Sequence, residues 1–199
     1  ADIPVPPGFS ITTEVYSEFL SGGGLKEKIE EILSRTDLQD VASLENASKV
    51  IRQLMAEASL PKRIEEDISS SYQTLAQVCD VRDIPVAVRS SATAEDLPGA
   101  SFAGQQDTFL WVRGCDEVLE KIKLCMSSLF TSRAISYRMK MGFPHDKILI
   151  SVGIQKMVDA RAAGVMFTLN PTNGDPSKVV IEGNWGLGET VVSGICNPD

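Results

Sequence analysis

The chain has 199 residues, 43% hydrophobic and 23% charged, enough for one sizeable core or two small lobes. Its formal charge of −8 excludes a general nucleic-acid binder, because phosphate backbones demand a basic surface. A few local cations and oriented backbone N–H groups still suffice for a single nucleotide. No apolar run is long enough to span a bilayer and no signal-peptide pattern is present, so no membrane partner is expected. The four cysteines, Cys79, Cys115, Cys125 and Cys196, never fall at C-x-x-C spacing. That pattern gives a zinc or thioredoxin-like site no support and predicts reduced, structural thiols in a cytoplasmic protein.

The elements follow in chain order. Val5 to Thr12 reads as an extended segment, and Thr12 or Thr13 can cap a helix with Glu14 in its first turn and Val15, Phe19 and Leu20 on one face. Ser21-Gly22-Gly23-Gly24 breaks it. Leu25, Ile29, Ile32 and Leu33 mark a second helix; Val50, Ile51, Leu54, Met55 and Ala58 mark a third. Pro61 suits the first turn of a fourth, with Ile64, Ile68, Leu75 and Val78 on its apolar stripe.

Near Ile84 the pattern changes. Val86–Val88 reads as a buried strand, residues 90–104 as a polar Gly- and Ser-containing stretch, and Thr108–Val112 as a second strand. Asp116 is expected to cap one long helix ending near Gly142. Three strand-like runs follow at Ile148–Met157, Gly164–Leu169 and Val179–Glu182, the last two joined by the turn-rich Asn170-Pro171-Thr172-Asn173-Gly174-Asp175-Pro176. Helices first and clustered strands later predict an α+β fold with a largely antiparallel sheet region. The chain divides into a mainly helical part, 1–83, and a strand-rich part, 84–199. The absent initiator Met and the Asn197-Pro198-Asp199 ending are expected of a piece of a longer polypeptide.

Chemistry concentrates between Val88 and Thr108. Arg89 follows an apolar strand, and a small-residue loop follows it with hydroxyls at Ser90, Ser91, Thr93 and Ser101 and glycines at Gly99 and Gly104. A guanidinium offers forked donors to phosphate oxygens, and glycines let backbone N–H groups approach them. The Walker pattern is absent. The residues alone leave two readings, a phosphate-binding loop or an ordinary polar turn. The small side chains of the Glu95–Gln106 run also lead us to expect mobility without nucleotide.

The run from Arg89 to Thr108 resembles the signature of the nucleotide-binding domain of the pyruvate phosphate dikinase and phosphoenolpyruvate synthase family, which also includes rifampin phosphotransferase and phenylphosphate synthase. Val5-Pro6-Pro7-Gly8-Phe9, Ser132-Arg133-Ala134-Ile135-Ser136-Tyr137-Arg138, Gln155-Lys156-Met157-Val158, Ala163-Gly164-Val165-Met166-Phe167-Thr168 and Gly183-Asn184-Trp185-Gly186-Leu187-Gly188-Glu189 are similar to further family segments, in family order. The resemblance implies an ATP-grasp-like fold that uses ATP and Mg2+. It implies a phosphate role for Arg89, the candidate catalytic residue, together with Gly99, Ser101, Gly104, Gln105, Gln106 and Thr108. It implies an adenine hinge at Gln155, Lys156, Met157 and Val158, although Met157 reads equally as core.

Arg133 and Arg138 are read as surface ion-pairing residues or as phosphate neutralisers, Trp111 and Trp185 as packed residues, and Glu182 and Glu189 as strand-end and helix-cap residues rather than metal neighbours. No metal ligand is identified. His145 lacks the Thr/Ser- and Gly-rich context of the family's phosphohistidine. The family's phosphate-contacting Lys, its metal ligands, its swivelling phosphohistidine domain and its acceptor-binding domain are therefore expected outside this chain, in the same or a partner polypeptide. The chain alone is expected to be a poor catalyst. The acceptor (pyruvate, phenol or a rifamycin) is not selected by any residue present, and a non-catalytic nucleotide-binding or regulatory module is the alternative.

Overall fold

The computed structural model describes residues 4–37, 39–92, 107–144 and 147–194. Chain contacts divide it into two units, Ala1–Met157 and Val158–Asp199.

The first unit opens with strand β1 (Gly8–Ile11), followed by helices α1 (Thr13–Ser21), α2 (Leu25–Ser34), α3 (Val41–Glu57) and α4 (Lys62–Val78). Gly23 and Gly24, both at positive φ, make the sharp turn between α1 and α2 that residues with a Cβ resist. Asp40 caps α3, its carboxylate accepting from the N–H groups of Ala42 and Ser43 at 3.0 and 3.3 Å. Helix α4 ends in a left-handed turn: Asp80 has φ 53°, and the N–H of Val81 donates back to the Ala76 carbonyl at 3.0 Å.

Strands β2 (Val86–Ala92) and β3 (Thr108–Val112) precede α5 (Cys115–Ser127), α6 (Ser132–Lys140) and β4 (Ile150–Lys156). The long helix expected over 116–142 is two helices. A short 3-10 turn at Ser128–Phe130 and an extended Thr131 interrupt it, and the Thr131 hydroxyl restarts the helix by accepting from Ala134 N–H at 3.2 Å. The N-cap of α5 is Gly114 at φ 80°, and Asp116 stands in the first turn. Helix α6 ends at Lys140, and Gly142 follows its cap at φ 69°.

The strands form an antiparallel sheet in the order β1-β4-β2-β3. One face carries Ile11, Val86, Val88, Ile150, Val152 and Ile154, all buried, against which α5 packs, with α3 behind it. Ile51, Met55, Ile122 and Met126 are completely buried in this layer, each such side chain contributing about 1.5–3 kcal/mol of transfer free energy. The β2–β3 ladder shifts register between Val86 and Val88, and Trp111 opposite this bulge adopts φ 60°.

Two expectations are corrected. Arg138 is 1% exposed, with its guanidinium 5.4 Å from the Phe130 ring, so it is not a surface ion-pairing residue. Burial lowers its pKa to about 10, and the buried Tyr16 beside it offsets part of that. Arg133, five residues earlier, is exposed because five residues turn a helix by roughly 140° from face to face. Trp111 and Trp185 are exposed rather than packed, at 40% and 73%.

The second unit holds an antiparallel hairpin of β5 (Ala162–Phe167) and β6 (Val180–Trp185), then the short α7 (Glu189–Val192). Gly164 lies so close to the Glu182 carbonyl that a Cβ there would collide with it. Gly183-Asn184-Trp185 continues β6 beyond Glu182, where the strand-like run was expected to end. The helices and antiparallel strands make the fold α+β.

Candidate functional site

β4 reads Ile150-Ser151-Val152-Gly153-Ile154-Gln155-Lys156, and its period-two alternation sorts side chains between the two sheet faces. The apolar set enters the core. Ser151, Gly153 and Gln155 lie on the other face and are half-buried. On β2 the same alternation sends Val86 and Val88 inward and Arg89 and Ser91 outward. On β1, Gly8 and Ser10 are exposed.

Register aligns these outward residues. Ser10 pairs with Gly153, Gly153 with Arg89, and Arg89 with Thr108, forming one row across all four strands. Ser91 pairs with Ser151 along the next row. A concavity of ≈ 690 Å³ lies over this face, lined by Ser10, Arg89, Ser91, Ser151, Gly153 and Gln155 among others. Its size falls within the roughly 300–1,000 Å³ typical of small-molecule sites.

Arg89 is exposed and, among the described residues, makes no ion pair. Among the described residues it is the only cation lining the concavity, and none of them lines it with a carboxylate. Gly153 beside it has no side chain, which leaves open space over the sheet next to the guanidinium. A guanidinium on a hydroxyl-rich face suits a phosphate: forked, charge-assisted N–H donors flanked by neutral O–H donors.

Gly8 is needed for a different reason. A Cβ there would collide with the Ile154 carbonyl, so glycine permits β1 to lie against β4.

At the C-terminal end of β4 the hinge candidates are tied to the unit. Gln155 Nε2–H donates to the Pro6 carbonyl at 3.1 Å, and Lys156 N–H to the Pro7 carbonyl at 2.9 Å. Met157 N–H donates to the Pro85 carbonyl at 2.9 Å, and its side chain is buried. Val158 is exposed; its carbonyl accepts from Ala160 N–H at 2.9 Å, and among the described residues its own N–H makes no hydrogen bond. The boundary between the two units falls between Met157 and Val158.

The structure thus gathers Arg89, Thr108, Gln155 and Lys156 on one sheet. Gly99, Ser101, Gly104, Gln105 and Gln106 belong to the connection between β2 and β3 and lie outside the described residues, as does His145. Among the described residues no three His, Cys, Asp or Glu side chains cluster as metal ligands. In the second unit Glu182 is half-buried in β6 and Glu189 opens α7.

Sequence reasoning named Ser91 among the hydroxyls after Arg89 but missed Ser10, Ser151 and Gly153 as lining residues. The alternation within β4 was a signal for two of them. It also missed Arg52, whose guanidinium pairs with the Asp107 carboxylate immediately before Thr108. Fifty-five residues separate the two, and no local pattern links them.

The whole chain, residues 1–199, matches the family described as pyruvate phosphate dikinase, AMP/ATP-binding domain. It is 50% identical over 199 residues to a probable phosphoenolpyruvate synthase of Methanocaldococcus jannaschii, covering 100% of this chain and 17% of that protein. It is 51% identical over 201 residues to a probable phosphoenolpyruvate synthase of Staphylothermus marinus, covering 100% of this chain and 24% of the relative. The phosphoenolpyruvate synthase of Helicobacter pylori is 49% identical over 199 residues, covering 99% of this chain and 24% of its own length. The chain therefore spans a quarter or less of these relatives.

Proposed function

Because the chain belongs to the pyruvate phosphate dikinase AMP/ATP-binding domain family, we propose that it forms the ATP-binding portion of a dikinase-type phosphotransferase. In the whole protein, ATP is cleaved at two phosphoanhydride bonds. One phosphoryl group passes through a histidine on a swivelling domain to a small acceptor such as pyruvate, held by a third domain. The fold in this reading is ATP-grasp-like, with residues 1–83 as its helical part and 84–199 as its phosphate and hinge part. A cytoplasmic setting suits the free thiols of Cys79, Cys115 and Cys125.

One observation carries the reading: the row Ser10–Gly153–Arg89–Thr108 sets beside a hydroxyl, on an open sheet face, a guanidinium that makes no ion pair among the described residues. Phosphoryl transfer asks little covalent chemistry of a protein; it asks for positioning and for charge where charge develops. Arg89 donates to phosphate oxygens, and the Thr108 hydroxyl donates alongside it. The glycines and Gln105 and Gln106 of the β2–β3 connection complete the phosphate contacts. For the base, the Val158 N–H is the hinge donor left over once Lys156 and Met157 have bonded to Pro7 and Pro85.

Magnesium is implied by the family resemblance, but the described residues do not fit it: the concavity has no carboxylate, and no ligand cluster stands near it. Its ligands are to be sought outside the described residues.

The test uses the full-length protein with ATP, magnesium chloride and pyruvate, followed by phosphorus NMR. AMP, orthophosphate and phosphoenolpyruvate are expected. ATP that binds but persists unchanged with each acceptor tried (pyruvate, phenol, a rifamycin) would instead make the chain part of a non-catalytic nucleotide-binding module.

A further inference from the structure

We propose that Arg52 is a positioning residue for the phosphate-binding row, acting through its ion pair with Asp107. The proposal rests on the reading of Arg89 and Thr108 as phosphate donors and goes one layer behind them.

Thr108 needs outside support. It is the first residue of β3, an edge strand that pairs on one side only. The bulge opposite Trp111 interrupts that ladder, so among the described residues the N-terminal half of β3 is tied to β2 through Arg89–Thr108 and Val88–Phe109 alone. Two pairs at a strand end resist fraying weakly.

Asp107, one residue earlier, is held from three elements. Its carboxylate accepts from the Arg52 guanidinium on α3. Its carbonyl accepts from the Cys125 thiol on α5 at 3.4 Å and faces the Ser90 hydroxyl on β2 at 3.5 Å. Arg52 is itself set in place: Ile51 beside it and Met55 one turn on are completely buried, and its Nε lies 3.4 Å from the Ser127 hydroxyl, whose proton goes to the Leu124 carbonyl at 2.7 Å. The helical core thus fixes where the chain enters β3, and with it the distance between the Thr108 hydroxyl and the guanidinium of Arg89.

Both partners are one-third exposed, and ion pairs of that kind add little to stability. Orientation is what the pair supplies: the guanidinium, set by Nε against Ser127, holds the carboxylate through a charge-assisted contact from Nη2. Removing it should leave the fold intact and displace the phosphate donors.

The experiment measures binding of a non-hydrolysable ATP analogue and of adenosine to the full-length protein, with thermal midpoints alongside. The variants are Arg52→Gln, Asp107→Asn, the double variant, Arg52→Lys, and Arg89→Ala as a control. Arg52→Gln and Asp107→Asn should each weaken the analogue roughly tenfold, the scale of losing an outer-shell support. Adenosine affinity and the thermal midpoint should stay unchanged, the double variant should be no worse than either single one, and Arg52→Lys should recover part of the loss. Unchanged analogue affinity in Arg52→Gln, with Arg89→Ala clearly weakened, would overturn the positioning role and leave the phosphate site standing. Equal weakening of analogue and adenosine with a lowered midpoint would show Arg52 to be merely structural, and would also overturn it. Unchanged affinity in Arg89→Ala would remove the phosphate site itself, and the positioning role with it.

Discussion

Replacing Arg89 by alanine tests the proposed phosphate site separately from the fold that carries it. The backbone of Arg89 remains paired with Gly153 on one side and Thr108 on the other, so the sheet is retained. The side chain is exposed and among the described residues makes no ion pair, so folding loses little when it is shortened. What is lost is a charge-assisted contact to a phosphate, about 1.5–3 kcal/mol. At about 1.4 kcal/mol per tenfold change, that weakens binding by roughly 10- to 150-fold. Arg89→Lys keeps the charge and loses the fork, and should fall between the two. Calorimetric titration of the full-length protein with a non-hydrolysable ATP analogue and magnesium measures the effect, with circular dichroism to establish folding. Unchanged affinity in a folded Arg89→Ala protein would refute the assignment of this sheet face to phosphate.

Three further outcomes follow from the packing. Gly8→Ala forces a Cβ against the Ile154 carbonyl and should destabilise the first unit by about 1–3 kcal/mol, read from denaturant midpoints. Asp80→Gly relieves a left-handed backbone at the end of α4 and should raise stability by up to about 1 kcal/mol in the same assay. The Cys125 thiol is pushed up to about 12, chiefly by burial and secondarily by the Asp107 carboxylate. Its unfolded form ionises near 9, so between these values the unfolded chain binds fewer protons and stability falls as pH rises. Denaturation midpoints should show about 1 kcal/mol lost between pH 8 and pH 10, and Cys125→Ala should remove that part of the slope.

The sequence displayed what is local and periodic. Thr108–Val112 was read with the bounds the structure gives, because turn signals and β-branched or aromatic residues coincide there. The stripe through Ile51, Leu54 and Met55 marked α3, and two of those three side chains are completely buried. The break at Thr131 was missed because apolar spacing runs on across it; only the threonine at a new N-cap marks the restart. Arg89 and Thr108 were singled out, but the neighbouring Ser10 and Gly153 were not. Ser10, Gly153 and Thr108 come from three different strands, and the β1-β4-β2-β3 order that sets them in one row follows from non-local pairing. Arg138 was misread because a guanidinium in an amphipathic helix looks solvated until the Phe130 ring and Tyr16 are seen around it.

The central claim is that the open face of the four-stranded sheet holds the phosphates of ATP. A crystal structure of the full-length protein with a non-hydrolysable ATP analogue tests it most directly. The guanidinium of Arg89 should lie about 2.8 Å from a phosphate oxygen, the distance of a charge-assisted hydrogen bond. The triphosphate should run over the row from Gly153 to Thr108. A triphosphate bound elsewhere, with Arg89 left in solvent, would contradict the account.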